Sequence, residues 1–183
     1  MSNGFYTPRG ISKSFEDITI VPMVKVYEYE RDRLELGDSD EGLAAIGQLI
    51  ETRVEVNQIF ESTSQVVELC RACGGHPRFL MQLMRTACLT GSGRQHRKLQ
   101  DEDIVYAINQ LQFRFERELV LVPRAYPVLA KIAQTKELNN DEVLSDLLFS
   151  TAVLEYNGDR RWAYPNPLVR RSDLFKQQLL NDE

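Results

Sequence analysis

From residue 40 to residue 118 apolar side chains recur at intervals of three and four, with breaks at Gly74-Gly75, at Gly91-Ser92-Gly93 and before Asp101. Such spacing gives each segment one apolar stripe. No single helix can bury its own stripe, so this part of the chain must fold as a helical bundle. Ser39 or Asp40 caps a first helix with Leu43, Ile46, Ile50 and Val54 inward, predicted to run to Phe60. Ser62-x-x-Gln65 has the pattern of a capping box and opens a second helix, with Val66, Leu69, Cys70 and Cys73 facing the core. Gly74-Gly75 ends that helix, and Pro77 starts the next at the first position, where its missing N–H is no loss. Phe79, Leu80, Leu83, Met84 and Ala87 make the buried stripe of this third helix. Asp101 caps a fourth, with Ile104, Ile108, Leu111 and Phe115 on one face.

The flanks differ. Thr19–Tyr27 is β-branched and apolar and predicts one strand, with Pro22 restricting it to an edge or to a start after residue 22. No second strand lies near it in the sequence, so the expectation is a strand whose sheet lies elsewhere. After Pro123, short helices are predicted over Tyr126–Gln134 and from Asp141 to about Ser150. Thr151–Tyr156, the turn Asn157-Gly158 and Arg161–Tyr164 then read as a β-hairpin ended by Pro165 and Pro167. Helices followed by a two-stranded ribbon are the pattern of a winged helix.

Charge is segregated. The 183 residues carry 22 Lys and Arg against 27 Asp and Glu, a net charge of −5. Ten acids lie between Glu28 and Glu61, opposed only by Arg31, Arg33 and Arg53. From Arg71 to Gln100 there is no acid, and six basic residues occur. An acidic chain of this kind does not coat nucleic acid wholesale, although it allows a local anion site. No apolar run approaches the 18 or so residues that span a bilayer, and the start of the sequence has no basic-then-apolar leader, so the expected location is cytoplasmic with no membrane partner. Three cysteines do not make a disulfide framework.

The densest chemistry lies in Cys73-Gly-Gly-His-Pro-Arg-Phe-Leu80. A helix starting at Pro77 leaves first-turn N–H groups free and partially positive, and Arg78 stands there against the helix dipole, as an arginine that meets an anion would. Gly74-Gly-His-Pro-Arg-Phe-Leu resembles the helical-lid motif of AAA+ and related STAND P-loop ATPases, and the order strand, helical lid, winged helix is similar to the C-terminal part of origin-recognition-type members. The resemblance implies a mainly α fold: a segment over 1–38 with a last core strand, a helical lid over 39–118, and a winged-helix domain with a small β-hairpin over 119–175. It implies that Arg78 senses the γ-phosphate of ATP and that Gly75, His76 and Pro77 face the adenine or ribose. The partner would be a P-loop ATPase core, with a protein partner docking on the winged helix.

The sequence holds no Gly-x-x-x-x-Gly-Lys-Ser/Thr loop, and Gly91-Ser-Gly93-Arg94 has neither its spacing nor its lysine. No apolar strand ends in paired acids for Mg²⁺. The expectation is therefore no enzymatic activity and no cofactor for the isolated chain, with ATP engaged only together with a core contributed by a larger protein. Cys70-Arg-Ala-Cys73 falls on apolar helix positions, which predicts buried thiols and no metal site. His76 and His96 have no nucleophile or carboxylate at a motif spacing, so no catalytic residue is assigned. The alternatives are a winged-helix nucleic-acid binder contacting backbone through Arg160 and Arg161, or a protein–protein adaptor. Asp141–Ser150, the segment that would enter a DNA groove, carries three acids and no base.

Overall fold

The structure is a computed structural model and describes residues 22–138, 142–157 and 160–181. Helices α1 (Asp40–Glu51), α2 (Val56–Ile59), α3 (Thr63–Ala72), α4 (Pro77–Gly93) and α5 (Asp101–Leu119) come first. After the turn at 120–124 follow α6 (Ala125–Thr135), α7 (Leu144–Phe149), strands β1 (Val153–Tyr156) and β2 (Trp162–Pro165), α8 (Pro167–Arg170) and α9 (Asp173–Asn181). The protein is mainly helical, with a small antiparallel sheet late in the sequence. No helix among the described residues is long and apolar enough to cross a membrane.

Local chemistry sets most of the boundaries. Ser62 is the N-cap of α3, but its hydroxyl pairs with Ser64 at 2.6 Å. The work falls to buried Gln65, whose Oε1 accepts from Glu61 N–H at 3.1 Å and whose Nε2 donates to Leu99 O at 3.1 Å and to Asp101 Oδ1 at 2.8 Å. The N-cap of α5 is Gln100, one residue before the expected Asp101. The first helix stops at Glu51, short of the predicted Phe60. Phe60 leaves helical geometry at φ −103° and ψ 149°, and this sends its ring into the core while Ile59 O accepts from Leu99 N–H at 2.8 Å. α8 and α9 were not foreseen. Asn166 caps α8 by accepting from Leu168 N–H at 3.0 Å, with Pro167 at its first position. Ser172 Oγ accepts from Phe175 N–H at 3.3 Å in the first turn of α9.

The extended segment at 22–27 does find partners within this chain, contrary to expectation. Residues 19–21 of the predicted strand, and Gly158 of the predicted turn, lie outside the described residues. Met23 makes a single parallel bridge to Tyr156 and donates to Glu155 O at 3.0 Å, and Val24 N–H donates to Gly75 O at 3.1 Å. Among the described residues, bridges at Met23 and Tyr27 alone make an extended strap rather than a ladder. The reason is long range: the β1 edge that receives Met23 lies over 130 residues away in the sequence.

One continuous cluster of buried apolar side chains runs from Val26 to Phe175. α4 and α5 pack along their length, with Phe79 edge-on to Phe115 at 5.4 Å between centroids. α5 also packs on α8, and α6 on β2 and α9. Tyr27, Tyr156, Trp162 and Tyr164 form an aromatic group at the sheet, in which Trp162 stacks on Tyr156 at 4.5 Å. Their hydroxyls reach out to backbone: Tyr27 to Arg71 O at 3.1 Å, Tyr156 to Gly74 O at 2.7 Å, and Tyr164 to Leu34 O. The hairpin is thus part of the core.

Candidate functional site

The corner between α3 and α4 brings Gly75, His76, Pro77 and Arg78 together at one helix start. Gly74 and Gly75 have φ of +61° and +78°, the left-handed region where a side chain is strained. They face inward. A Cβ on Gly75 would lie 1.9 Å from Val24 O, so this glycine lets the strap pass. His76 is the N-cap of α4: its Nδ1 accepts from Arg78 N–H at 3.2 Å, and its carbonyl accepts from Leu80 N–H at 3.1 Å. Accepting at Nδ1 requires an unprotonated nitrogen there. Burial and the Arg78 charge both hold the His76 pKa below the usual 6.5, which favours that neutral form. The ring also lies against Phe79 at 4.3 Å between centroids.

The sequence-based expectation of a row of free first-turn donors is therefore revised. Pro77 has none, the Arg78 donor is taken by His76 and the Leu80 donor by the His76 carbonyl, which leaves the Phe79 N–H. What stays available is the Arg78 side chain, which is exposed and has no ion pair among the described residues. It borders a cleft of about 490 Å³ together with His76, Phe79, Gln82, Arg114, Glu118 and residues 149–151. Arg114 is neutralised by Glu118 at 2.9 Å. Gln82 Oε1 is buried without a hydrogen-bond partner among the described residues, and Thr151 on the lip has φ +59°, rare for a β-branched residue. Neither Gln82 nor Arg114 was identified from the sequence, since α5 and α4 meet only through tertiary packing.

Arg160 and Arg161 are exposed at the end of the hairpin, and each is engaged. Arg160 donates to Tyr29 OH at 2.8 Å with its guanidinium 5.0 Å from that ring. Arg161 pairs with Glu155 at 2.6 Å. Cys70 and Cys73 are buried, as their helical spacing predicts. Burial raises Cys70 to about 11 and Cys73 to about 12, and Cys73 Sγ donates to Cys70 O at 3.1 Å, so both thiols stay protonated.

A cluster the sequence did not reveal closes the loop between α4 and α5. Asp103 is fully buried and accepts from Arg94 at 2.8 Å, from Gln100 N–H at 3.0 Å, and pairs with His96 Nδ1 at 2.8 Å. Burial pushes the Asp103 pKa up, but the bonds from His96, Gln100 and Arg94 outweigh it and hold the carboxyl below its usual 3.8. His96, Glu102 and Asp103 present oxygen and nitrogen atoms close enough for a cation. The Arg94 guanidinium already fills that role for both carboxylates. The group is a loop clamp.

No family model matches this chain, and no curated protein or solved structure is significantly similar to it.

Proposed function

We propose that this chain is the helical-lid and winged-helix part of a P-loop ATPase of the AAA+/STAND kind, similar to the origin-recognition type, and that it reads the state of a nucleotide held by the P-loop core. The observation that carries the proposal is Arg78. It is an exposed cation in the first turn of a helix, bordering a cleft, with no acidic partner among the described residues, while the other arginine of that cleft, Arg114, is paired with Glu118. Arg78 and the Phe79 N–H fit one end of a triphosphate, not a phosphate chain. Gly75 faces the strap and His76 caps its own helix, so in this proposal they shape the corner and leave contact with the nucleotide to Arg78.

Bound nucleotide supplies an anionic γ-phosphate that hydrolysis removes. Arg78 would donate to that anion, and gain or loss of the contact would tilt α4. Tyr156 OH and Val24 N–H hold the corner carbonyls at Gly74 and Gly75, so a tilt at α4 would carry the hairpin with it, a hinge-type switch. The hairpin following α6 and α7 supports the winged-helix assignment. A nucleic-acid role through Arg160 and Arg161 gains no such support, since both are engaged and α7 carries Asp146 with no basic residue.

The test is ATP turnover by the ATPase polypeptide that carries this module. Arg78→Ala is expected to slow turnover by at least about tenfold, with Arg78→Lys recovering part of the loss and circular dichroism unchanged. Unchanged turnover overturns the proposal. So does micromolar ATP binding by these 183 residues alone.

A further inference from the structure

A second concavity lies between α1 and α3. It encloses about 400 Å³ and its lining is mostly apolar: Leu43, Gly47, Val66 and Cys70 are buried at its floor, and Val67 is partly exposed beside them. Along α1 the exposed lining runs Asp40, Ala44, then buried Gly47, then Glu51. These positions are four, seven and eleven residues from the first, so they form one stripe, acid–small–small–acid, about 16 Å long.

Two features of this stripe bear on what it can receive: its charge and its open floor. Arg71 is the one basic residue of the lining and is held by Asp38 and Glu68. The side chains of Asp40 and Glu51 make no ion pair or hydrogen bond among the described residues, and the surrounding sequence from Glu28 to Glu61 is strongly acidic. The second feature is Gly47. Glycine inside a helix lowers its stability, and packing does not demand it here, because a Cβ would meet Cys70 Sγ at an ordinary 3.7 Å. Its effect is to leave the floor open and, with Ala44, to let another backbone approach α1 closely.

We infer that the α1–α3 groove binds a cationic amphipathic helix of a partner protein. Apolar side chains at i, i+3 or i+4, and i+7 enter the floor, and basic side chains about eleven residues apart reach Asp40 and Glu51. The groove contains neither Arg78 nor its cleft, so the inference does not rest on the proposed ATPase role.

The probe is a fluorescein-labelled 15-residue helix with leucine on one face and lysine on the other, read by fluorescence anisotropy. A counterpart has glutamate in place of lysine. The lysine peptide is expected to bind saturably and the glutamate peptide at least about tenfold more weakly. Asp40→Lys/Glu51→Lys should weaken the lysine peptide by about tenfold. Ala44→Trp, at an exposed position of the lining, should do the same by filling the groove, with circular dichroism unchanged. Asp32→Lys/Glu137→Lys makes an equal charge change elsewhere and should leave affinity within about twofold. Equal loss in that control, equal binding of the glutamate peptide, or self-association of the wild-type chain that Asp40→Lys/Glu51→Lys abolishes, overturns the inference.

Discussion

Asp103 shows what one buried carboxylate contributes. Three donors converge on it from a loop and a helix start, and an ionised carboxylate without them would be costly inside the protein. Its folded pKa lies below the usual 3.8, so the unfolded chain binds the proton more readily. The stabilisation is therefore complete above about pH 4 and is lost as pH falls through the lower folded value. Asp103→Asn is expected to cost about 3 kcal/mol at neutral pH and to remove that acid-dependent loss. Urea melts between pH 2.5 and pH 6 check both statements. The parallel case of the cysteines was legible in the sequence, because burial of Cys70 and Cys73 follows from helical spacing alone. The Asp103 clamp was not, since Arg94 and His96 lie in a loop whose path no periodicity reveals.

At the scale of elements, the α3–α4 corner is the part of the fold that local chemistry specifies most fully. Glycine after a helix and proline at the start of the next set its boundaries, and both stand where the sequence places them. Which way the corner faces is a different matter. Gly75 admits the backbone of Val24, a residue 51 positions earlier, and nothing in the neighbouring letters announces that contact. Gly75→Ala combines a left-handed backbone with a Cβ driven into Val24 O, and is expected to cost about 3 kcal/mol or more. Thermal denaturation measures it. A loss below about 1 kcal/mol would mean that the strap yields rather than the corner. The same limit explains why α8 and α9 escaped prediction: Pro165 and Pro167 read as the end of a strand, and the capping by Asn166 becomes decisive only once Leu168 and Phe175 have a core to enter.

Over the whole molecule, the buried cluster does not divide at the turn between α5 and α6. The sequence placed a boundary near residue 119 because composition changes there; packing of α5 on α8 and the hydroxyl bonds of Tyr156 to Gly74 O and Tyr164 to Leu34 O cross it. The helical content and the late hairpin were legible from spacing and turn chemistry. The joining of the two was not, because it depends on tyrosine side chains meeting backbone 82 and 130 residues away. The single tryptophan, Trp162, sits in the sheet, whereas most of the helical signal comes from residues before 120. Tryptophan fluorescence and far-ultraviolet circular dichroism are therefore expected to report one coincident denaturant transition. Two separated midpoints would mean that the helical part and the hairpin part unfold independently.

The bond from Tyr156 to Gly74 also orders events during synthesis. It closes a loop of 82 residues, and a ribosome releases the corner long before it releases the side chain that ties the corner down. While the chain is being made, α3 and α4 can form and pair, but the glycine carbonyl between them stays exposed to water until the hairpin emerges. The last-made strands fasten a corner built much earlier.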